Sequence, residues 1–215
     1  MSETVTLKKD SPSVQYLCKK DKRLAKVISM VGEITYAPHD DGYSFLVHEI
    51  IEQMLSIKAG AKIYDRLLEI CHGDITPEYI SALSDERIKS IGTSNAKVGY
   101  IKGLTSAVLA ENINLHTLPT LSDEDVIKQL TSLRGIGNWT AKMYLIFVLD
   151  RPDILPFEDV AFLHGYSWVY KTTDYSPSAV KAKCKKWKPH SSVAARYMYK
   201  ALDMGLTRER FHLFK

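Results

Sequence analysis

The stretch Leu133-Arg-Gly-Ile-Gly-Asn-Trp-Thr-Ala141 has the residue types and spacing best suited to chemistry. Gly135 and Gly137 bracket Ile136, so the turn can adopt positive φ and the backbone can approach a ligand closely, with Ile136 as an apolar plug into a core. A helix is expected to end before this segment and another to begin near Trp139. The N–H groups at that beginning lack acceptors within their own helix, which makes a phosphate site needing no charged side chain. The competing reading is a plain tight turn between two helices. Other chemistries find less support. His39, His48, His72, His116, His164, His190 and His212 show no HExxH-type spacing and read as surface or satisfied core residues. Cys18, Cys71 and Cys184 are odd in number and far apart, which gives neither a disulfide framework nor a CxxC metal site.

The elements that must position this turn are helical. Leu46, Ile50 and Met54 form one i, i+4 line and Val47, Ile51 and Leu55 the adjacent one, so this segment reads as a core helix. Similar patterns run over 24–31, 61–71, 77–83, 85–91, 96–110, 123–130, 139–149 and 193–204. Thr76 before Pro77 is a cap with proline at the first helical position, and Ser122 with Asp125 resembles a capping box. Loop chemistry collects at 37–43, 150–158 and 171–178. No period-2 strand or hairpin signal stands out, so the expectation is an all-α fold of about ten short helices, a single domain over 1–215.

Composition narrows the partners. The 45% hydrophobic and 25% charged shares are those of ordinary packed chains and argue against disorder and coiled coil. No apolar run reaches the ~20 residues needed to span a bilayer, and the first ten residues are polar, so an intracellular protein, cytoplasmic or nuclear, with no membrane partner is expected. The net charge of +4 hides an asymmetry: from Ser178 onward ten basic residues face two acidic ones, and the rest of the chain is net acidic. A basic end suits a polyanion such as nucleic acid, and equally a solvated lysine-rich face.

At the glycine turn the sequence resembles the helix-hairpin-helix superfamily of DNA glycosylases, and within it the 3-methyladenine DNA glycosylase II family of alkylation repair, whose hairpin reads L/F-P-G-I-G-x-W-T-A. Phe45 to Ser56 (FLVHEIIEQMLS) is similar to that family's helix ending in G-Q-Q-L-S, and Ala96 to Ile101 (AKVGYI) to its A-K-x-x-Y-I segment. A proline-rich approach leads to Asp159, and Trp187-Lys-Pro189 matches a W-K-P element before the last helix. The resemblance covers residues 20–205 approximately. It implies a helix-hairpin-helix glycosylase fold in two helical lobes around a cleft, with the hairpin at 131–141, acting on damaged double-stranded DNA as a monomer.

What the resemblance implies for single residues can be weighed against chemistry. Asp159 becomes the active-site aspartate, and it is also well placed as N-cap of a helix starting near Val160. Breaking an N-glycosidic bond makes the sugar oxocarbenium-like, so a carboxylate beside C1′ stabilises the developing charge and can take a proton from the attacking water. Alkylated purines such as 3-methyladenine and 7-methylguanine are already cationic and leave readily, so one carboxylate suffices; Glu158 is its neighbouring alternative. Bifunctional relatives carry a lysine where the hairpin opens into its second helix. Trp139 stands there instead, with Lys142 rotated away, which implies a monofunctional enzyme that leaves an abasic site. Nor can three scattered cysteines hold those relatives' iron–sulfur cluster.

Base flipping assigns three further tasks. Met54 corresponds to the family's wedge in the vacated stack, although it fits the apolar stripe as well. Backbone grip falls to Gly135, Gly137 and Trp139, with Arg134, which replaces the family's proline, adding a phosphate contact. The base pocket, aromatic because a cationic base gains cation–π energy, falls to Trp139 and then Tyr199; both fit core packing too, and Tyr144, Phe157 and Trp187 are weaker candidates. No cofactor is required. A sodium or potassium ion under the hairpin would be held by the main-chain carbonyls of Thr131, Leu133 and Ile136. Lys181, Lys183, Lys185, Lys186 and Lys188 are expected near the phosphates. The rival readings are a non-catalytic hairpin module that only binds DNA and a glycosylase for another class of lesion.

Overall fold

Most helices begin where the sequence supplies a short polar side chain. In the computed structural model, which describes residues 3–213, Asp21, Asp41, Ser56, Thr76, Ser84, Ser94, Ser122, Asp159 and Ser176 each accept a hydrogen bond from a first-turn amide of the helix they precede. The Ser122–Asp125 pair is present in modified form, the serine accepting from Asp125 N at 3.1 Å and donating to its carboxylate at 2.6 Å.

The chain sorts into two units: one takes both ends, up to Pro38 and from Asp150 onward, and the other is His39–Leu149. The central unit holds α3 (Gly42–Glu52), α4 (Ile57–Ile70), α5 (Pro77–Ala82), α6 (Asp85–Lys89), α7 (Asn95–Leu109), α8 (Asp123–Thr131) and α9 (Asn138–Phe147). Leu46, Val47, Ile50 and Ile51 of the predicted stripe are buried, and α3 packs on α4, α7 and α9. The stripe stops short of its predicted end. Helix α3 closes at Glu52, and Met54, at φ 60°, stands fully exposed, which removes it from the core.

The other unit contains β1 (Val5–Leu7), α1 (Pro12–Lys20), α2 (Lys22–Val31), β2 (Ile34–Tyr36), α10 (Val160–Tyr170), α11 (Pro177–Cys184) and α12 (Ser191–Asp203). Its core includes Val14, Leu17, Leu24, Val27, Phe162, Tyr166, Trp187, Ala194 and Met198. On α10, Gly165 lets α12 approach so closely that an added Cβ would lie 3.0 Å from Met198 Cβ. Two expectations change here. The strands β1 and β2 pair antiparallel, Leu7 opposite Ile34, but three residues are too few for alternation to show in a sequence. The expected loop 171–178 ends in α11, which Ser176 caps and Pro177 opens. Among the described residues no helix is long and apolar enough to cross a membrane.

Candidate functional site

In the central unit the turn between α8 and α9 has the anticipated form, with one difference. Gly135 lies at φ 92°, and a Cβ on it would overlap the Tyr100 ring, so both backbone conformation and packing demand glycine there. Gly137 has an ordinary φ of −100° and open space around its missing Cβ, so neither strain nor packing within the chain explains it. It is also the N-cap of α9, which therefore starts without a side-chain cap, and the helix's first bond runs from Ala141 N to Gly137 O at 3.0 Å. The positive end of the α9 dipole lies at this turn. Ile136 is the buried plug, its N–H donating to Leu133 O at 3.1 Å. The Arg134 guanidinium lies 5.9 Å from the Tyr100 ring centroid while the residue stays exposed.

The loop after α3 is fastened to this turn. Gln53 Nε2 donates to Gly135 O at 2.8 Å, and Lys97 Nζ donates to the carbonyls of Ile51 and Gln53, both at 2.7 Å. Burial lowers the Lys97 ammonium below its ordinary value.

In the other unit Asp159 is buried, 9% exposed, and caps α10: its Oδ1 accepts from Phe162 N at 2.6 Å. Glu158 is exposed beside it. The approach to Asp159 is stapled to α12. Asp153 accepts from Ser191 N at 3.2 Å and Ser191 Oγ at 2.5 Å, Ile154 N donates to Ser192 Oγ at 2.9 Å, and Ser192 N donates to Pro152 O at 3.0 Å. Asp150, at φ 48°, accepts from Arg196 Nη2 at 3.0 Å and from the Tyr36 hydroxyl, while Arg196 stacks 3.6 Å over the Tyr36 ring. Burial first, and then the Asp150 carboxylate against the opposing Arg196 charge, pushes Tyr36 up to about 12.

A family model described as "HhH-GPD superfamily base excision DNA repair protein" matches residues 47–190, two thirds of the chain. The chain belongs to this superfamily. The DNA-3-methyladenine glycosylase 1 of Schizosaccharomyces pombe is 28% identical over 188 residues, which cover 86% of this chain and 82% of the relative. Among solved structures, the DNA-3-methyladenine glycosidase of Bacillus halodurans is similar with a TM-score of 0.85 and 32% identity, covering 97% of both chains. The S. pombe 3-methyladenine DNA glycosylase in complex with abasic DNA gives 0.80 and 27%, over 90% of this chain and 97% of that one.

Each predicted residue of this helix-hairpin-helix protein can now be located. Gly135, Gly137, Arg134 and Trp139 share the hairpin with Thr131, Leu133 and Ile136, and Trp139 is half-buried on the second residue of α9. Met54 lies on the loop that Gln53 ties to that hairpin. Asp159 and Tyr199 belong to the other unit, and Tyr199, half-buried on α12, packs against its core. Three weaker pocket candidates are accounted for differently. Trp187 is wholly buried and donates to Asp21 at 3.0 Å, Tyr144 is buried in the central unit, and Phe157 lies under the Lys181 ammonium at 4.2 Å. The basic tail is partly consumed within its own unit: Lys186 pairs with Asp21 at 3.0 Å and Lys188 with Asp153 at 3.7 Å, whereas Lys181, Lys183 and Lys185 are exposed. Sequence reasoning missed Lys97 and Gln53 as fasteners and the Asp153–Ser191 staple. The i, i+3 spacing of Lys97 and Tyr100 inside the quoted A-K-x-x-Y-I segment was the available signal for the first.

Proposed function

We propose that this protein is a monofunctional DNA glycosylase that flips alkylated purines such as 3-methyladenine and 7-methylguanine out of duplex DNA and hydrolyses their N-glycosidic bond. The observation that supports the reading is the likeness to the B. halodurans DNA-3-methyladenine glycosidase across 97% of both chains at 32% identity.

In this reading the hairpin holds phosphate with amides at Gly135, Gly137 and Trp139, and Arg134 adds a charge-assisted contact. Met54, fully exposed on a fixed loop, fills the vacated stack, and its flexible thioether suits an irregular gap. The aromatic face for the cationic base is assigned to Trp139, with Tyr199 as the second candidate. The C1′–N bond breaks with its electron pair leaving on the base, which neutralises the base's charge. The cap hydrogen bond to Oδ1 orients the Asp159 carboxylate, which stabilises the oxocarbenium-like sugar; water then adds at C1′ and gives its proton to this carboxylate. No lysine stands at the opening of α9 to form a Schiff base, so an intact abasic site is the product. Neutral carbonyls of Thr131, Leu133 and Ile136 suit a hard monovalent cation, sodium or potassium, and Leu133 O keeps a second lone pair after accepting from Ile136 N. Such an ion would stiffen the turn and add positive charge near the phosphates; no other cofactor enters the reaction.

The test is to incubate the protein with alkylated duplex DNA and measure released 3-methyladenine and 7-methylguanine, beside Asp159→Asn. Asparagine keeps the cap, so the variant should fold normally, bind abasic-site DNA and lose on the order of 10²-fold or more in rate. Full activity in the variant removes Asp159 from the reaction. Borohydride should trap no covalent protein–DNA adduct, and a robust adduct would end the monofunctional reading.

A further inference from the structure

A fully exposed methionine in left-handed backbone is held there by its surroundings. Met54 sits at φ 60° just after α3, and the residues leading into it are pinned by two contacts. Lys97 Nζ takes the carbonyls of Ile51, in the last turn of α3, and of Gln53, its C-cap, at 2.7 Å each, as a cation at a helix C-terminus should. The Gln53 side chain then reaches the hairpin at Gly135 O, 2.8 Å away. One turn along α7 from Lys97, the Tyr100 ring fills the space a Cβ on Gly135 would need. The chain of contacts closes on itself: α7 to the Met54 loop through Lys97, that loop to the hairpin through Gln53, and the hairpin back to α7 through Tyr100. All of these residues lie in the central unit.

We propose that Lys97, Gln53 and Tyr100 form a positioning brace that fixes the Met54 tip relative to the phosphate-holding hairpin, so that filling the stack and gripping the strand occur as one event. The proposal rests on the glycosylase reading above. A tip that wanders relative to the grip still binds undamaged duplex but fails to hold the flipped state, because productive geometry tolerates only small displacements. Lys97 in this role is a positioning residue and touches no phosphate: two of its three ammonium donors are spent on carbonyls of its own chain.

The test uses the whole protein with Lys97→Met, Lys97→Arg and Gln53→Glu, each alone and with Met54→Ala. Duplexes carry an abasic-site analogue, or 2-aminopurine beside the lesion to report unstacking by fluorescence, with undamaged duplex as control. Lys97→Met and Gln53→Glu should each weaken abasic-duplex binding and cut both the fluorescence rise and single-turnover excision about tenfold, the scale of losing a hydrogen bond at a charged or buried group. Affinity for undamaged duplex and its salt dependence should stay as in the parent. Met54→Ala should add nothing to Lys97→Met, and Lys97→Arg, which keeps a cation at the two carbonyls, should recover most of the signal. Additive losses, an undiminished fluorescence rise, or a salt slope shallower by about one, which marks a phosphate contact, would overturn the brace. Should Lys97→Met not fold, Gln53→Glu, on a half-exposed loop, carries the same comparison with Met54→Ala. A parent protein that binds abasic duplex but releases no base refutes the glycosylase reading by itself, and the brace is then judged on binding and fluorescence alone.

Discussion

The two units place functional groups by opposite means. Around the hairpin the surface is mostly backbone, two glycines and the first amides of α9, beside the exposed Met54 side chain, with Lys97, Gln53 and Tyr100 behind. In the unit of Asp159 the framework is one of side chains: the partly buried Asp153 holds the first turn of α12, the partly buried Asp150 holds Arg196, and the buried Asp21 gathers Tyr170, Trp187 and Lys186. On the proposed function, the difference follows from the task. A grip on a repeating polyanion has to be sequence-blind and shallow, which amides accomplish, whereas one carboxylate aimed at one atom needs a rigid frame, which a satisfied polar network supplies.

If that contrast is right, the largest stability loss should come from the side-chain frame. Asp21 is 2% exposed and accepts from Arg23 N at 3.0 Å and Leu24 N at 3.3 Å as well as from the three side chains above. Burial alone would raise its carboxyl, but the hydrogen bonds from Tyr170, Trp187, Lys186 and Leu24 outweigh burial and hold it below the ordinary value. Asp21→Ala strands those donors and should cost about 3–5 kcal/mol in denaturant unfolding. Because the folded value is depressed, the stabilisation exists above the unfolded carboxylate range and disappears as pH falls through the folded value. The deficit of the variant should therefore narrow under strong acid; a deficit independent of pH would deny the network its electrostatic character.

The glycine pair sharpens the comparison within the hairpin. Gly135→Ala meets both positive φ and the Tyr100 ring and should lose about 2–3 kcal/mol of stability. Gly137→Ala meets neither, so its stability should move by less than about 0.5 kcal/mol. Its DNA affinity should nevertheless fall on the order of tenfold, since a methyl group now stands where phosphate approaches. Equal stability losses in the two variants would mean that Gly137 serves the fold and not a ligand.

Met54→Ala comes next in size. A side chain wholly in solvent contributes little to folding, so the melting temperature should hold while abasic-duplex affinity drops by about 1–2 kcal/mol. A stability loss with unchanged affinity would return Met54 to a packing role.

These cases also show what could be read from the sequence alone. The α3 stripe, the α7 to α9 segments and the hairpin were legible because each rests on periodicity or on glycine spacing within a dozen residues. That Gly135 and not Gly137 needs positive φ was not legible, because the deciding contact comes from Tyr100, thirty-five positions earlier. Likewise the lysine-rich tail reads as a phosphate surface or a solvated face, and the ion pairs of Lys186 with Asp21 and of Lys188 with Asp153, remote in sequence, were not legible. The strands were missed because three-residue segments carry no period. The cap at Asp159 was legible, since an N-cap is a local property.

The smallest expected effect concerns a histidine in the hairpin unit, where the contrast predicts that side-chain electrostatics matter least. His48 on α3 lies between two carboxylates, Nδ1 3.3 Å from Glu49 Oε1 and Nε2 3.5 Å from Glu52 Oε1, with the Tyr64 ring of α4 edge-on at 4.8 Å. The hydrogen bond that the ring donates to Glu49 raises the imidazole above its ordinary value, burial opposes it, and the charges of Glu52 and Glu49 add to the rise. A raised folded value means that the stabilisation is complete below the unfolded value and is lost as pH climbs through the folded one. His48→Asn should therefore melt a few degrees below the parent at mildly acidic pH and match it in mild alkali. A deficit that grows with pH would show that neutral histidine packs there, and the hairpin unit would then depend on its buried side chains in the same way as the other.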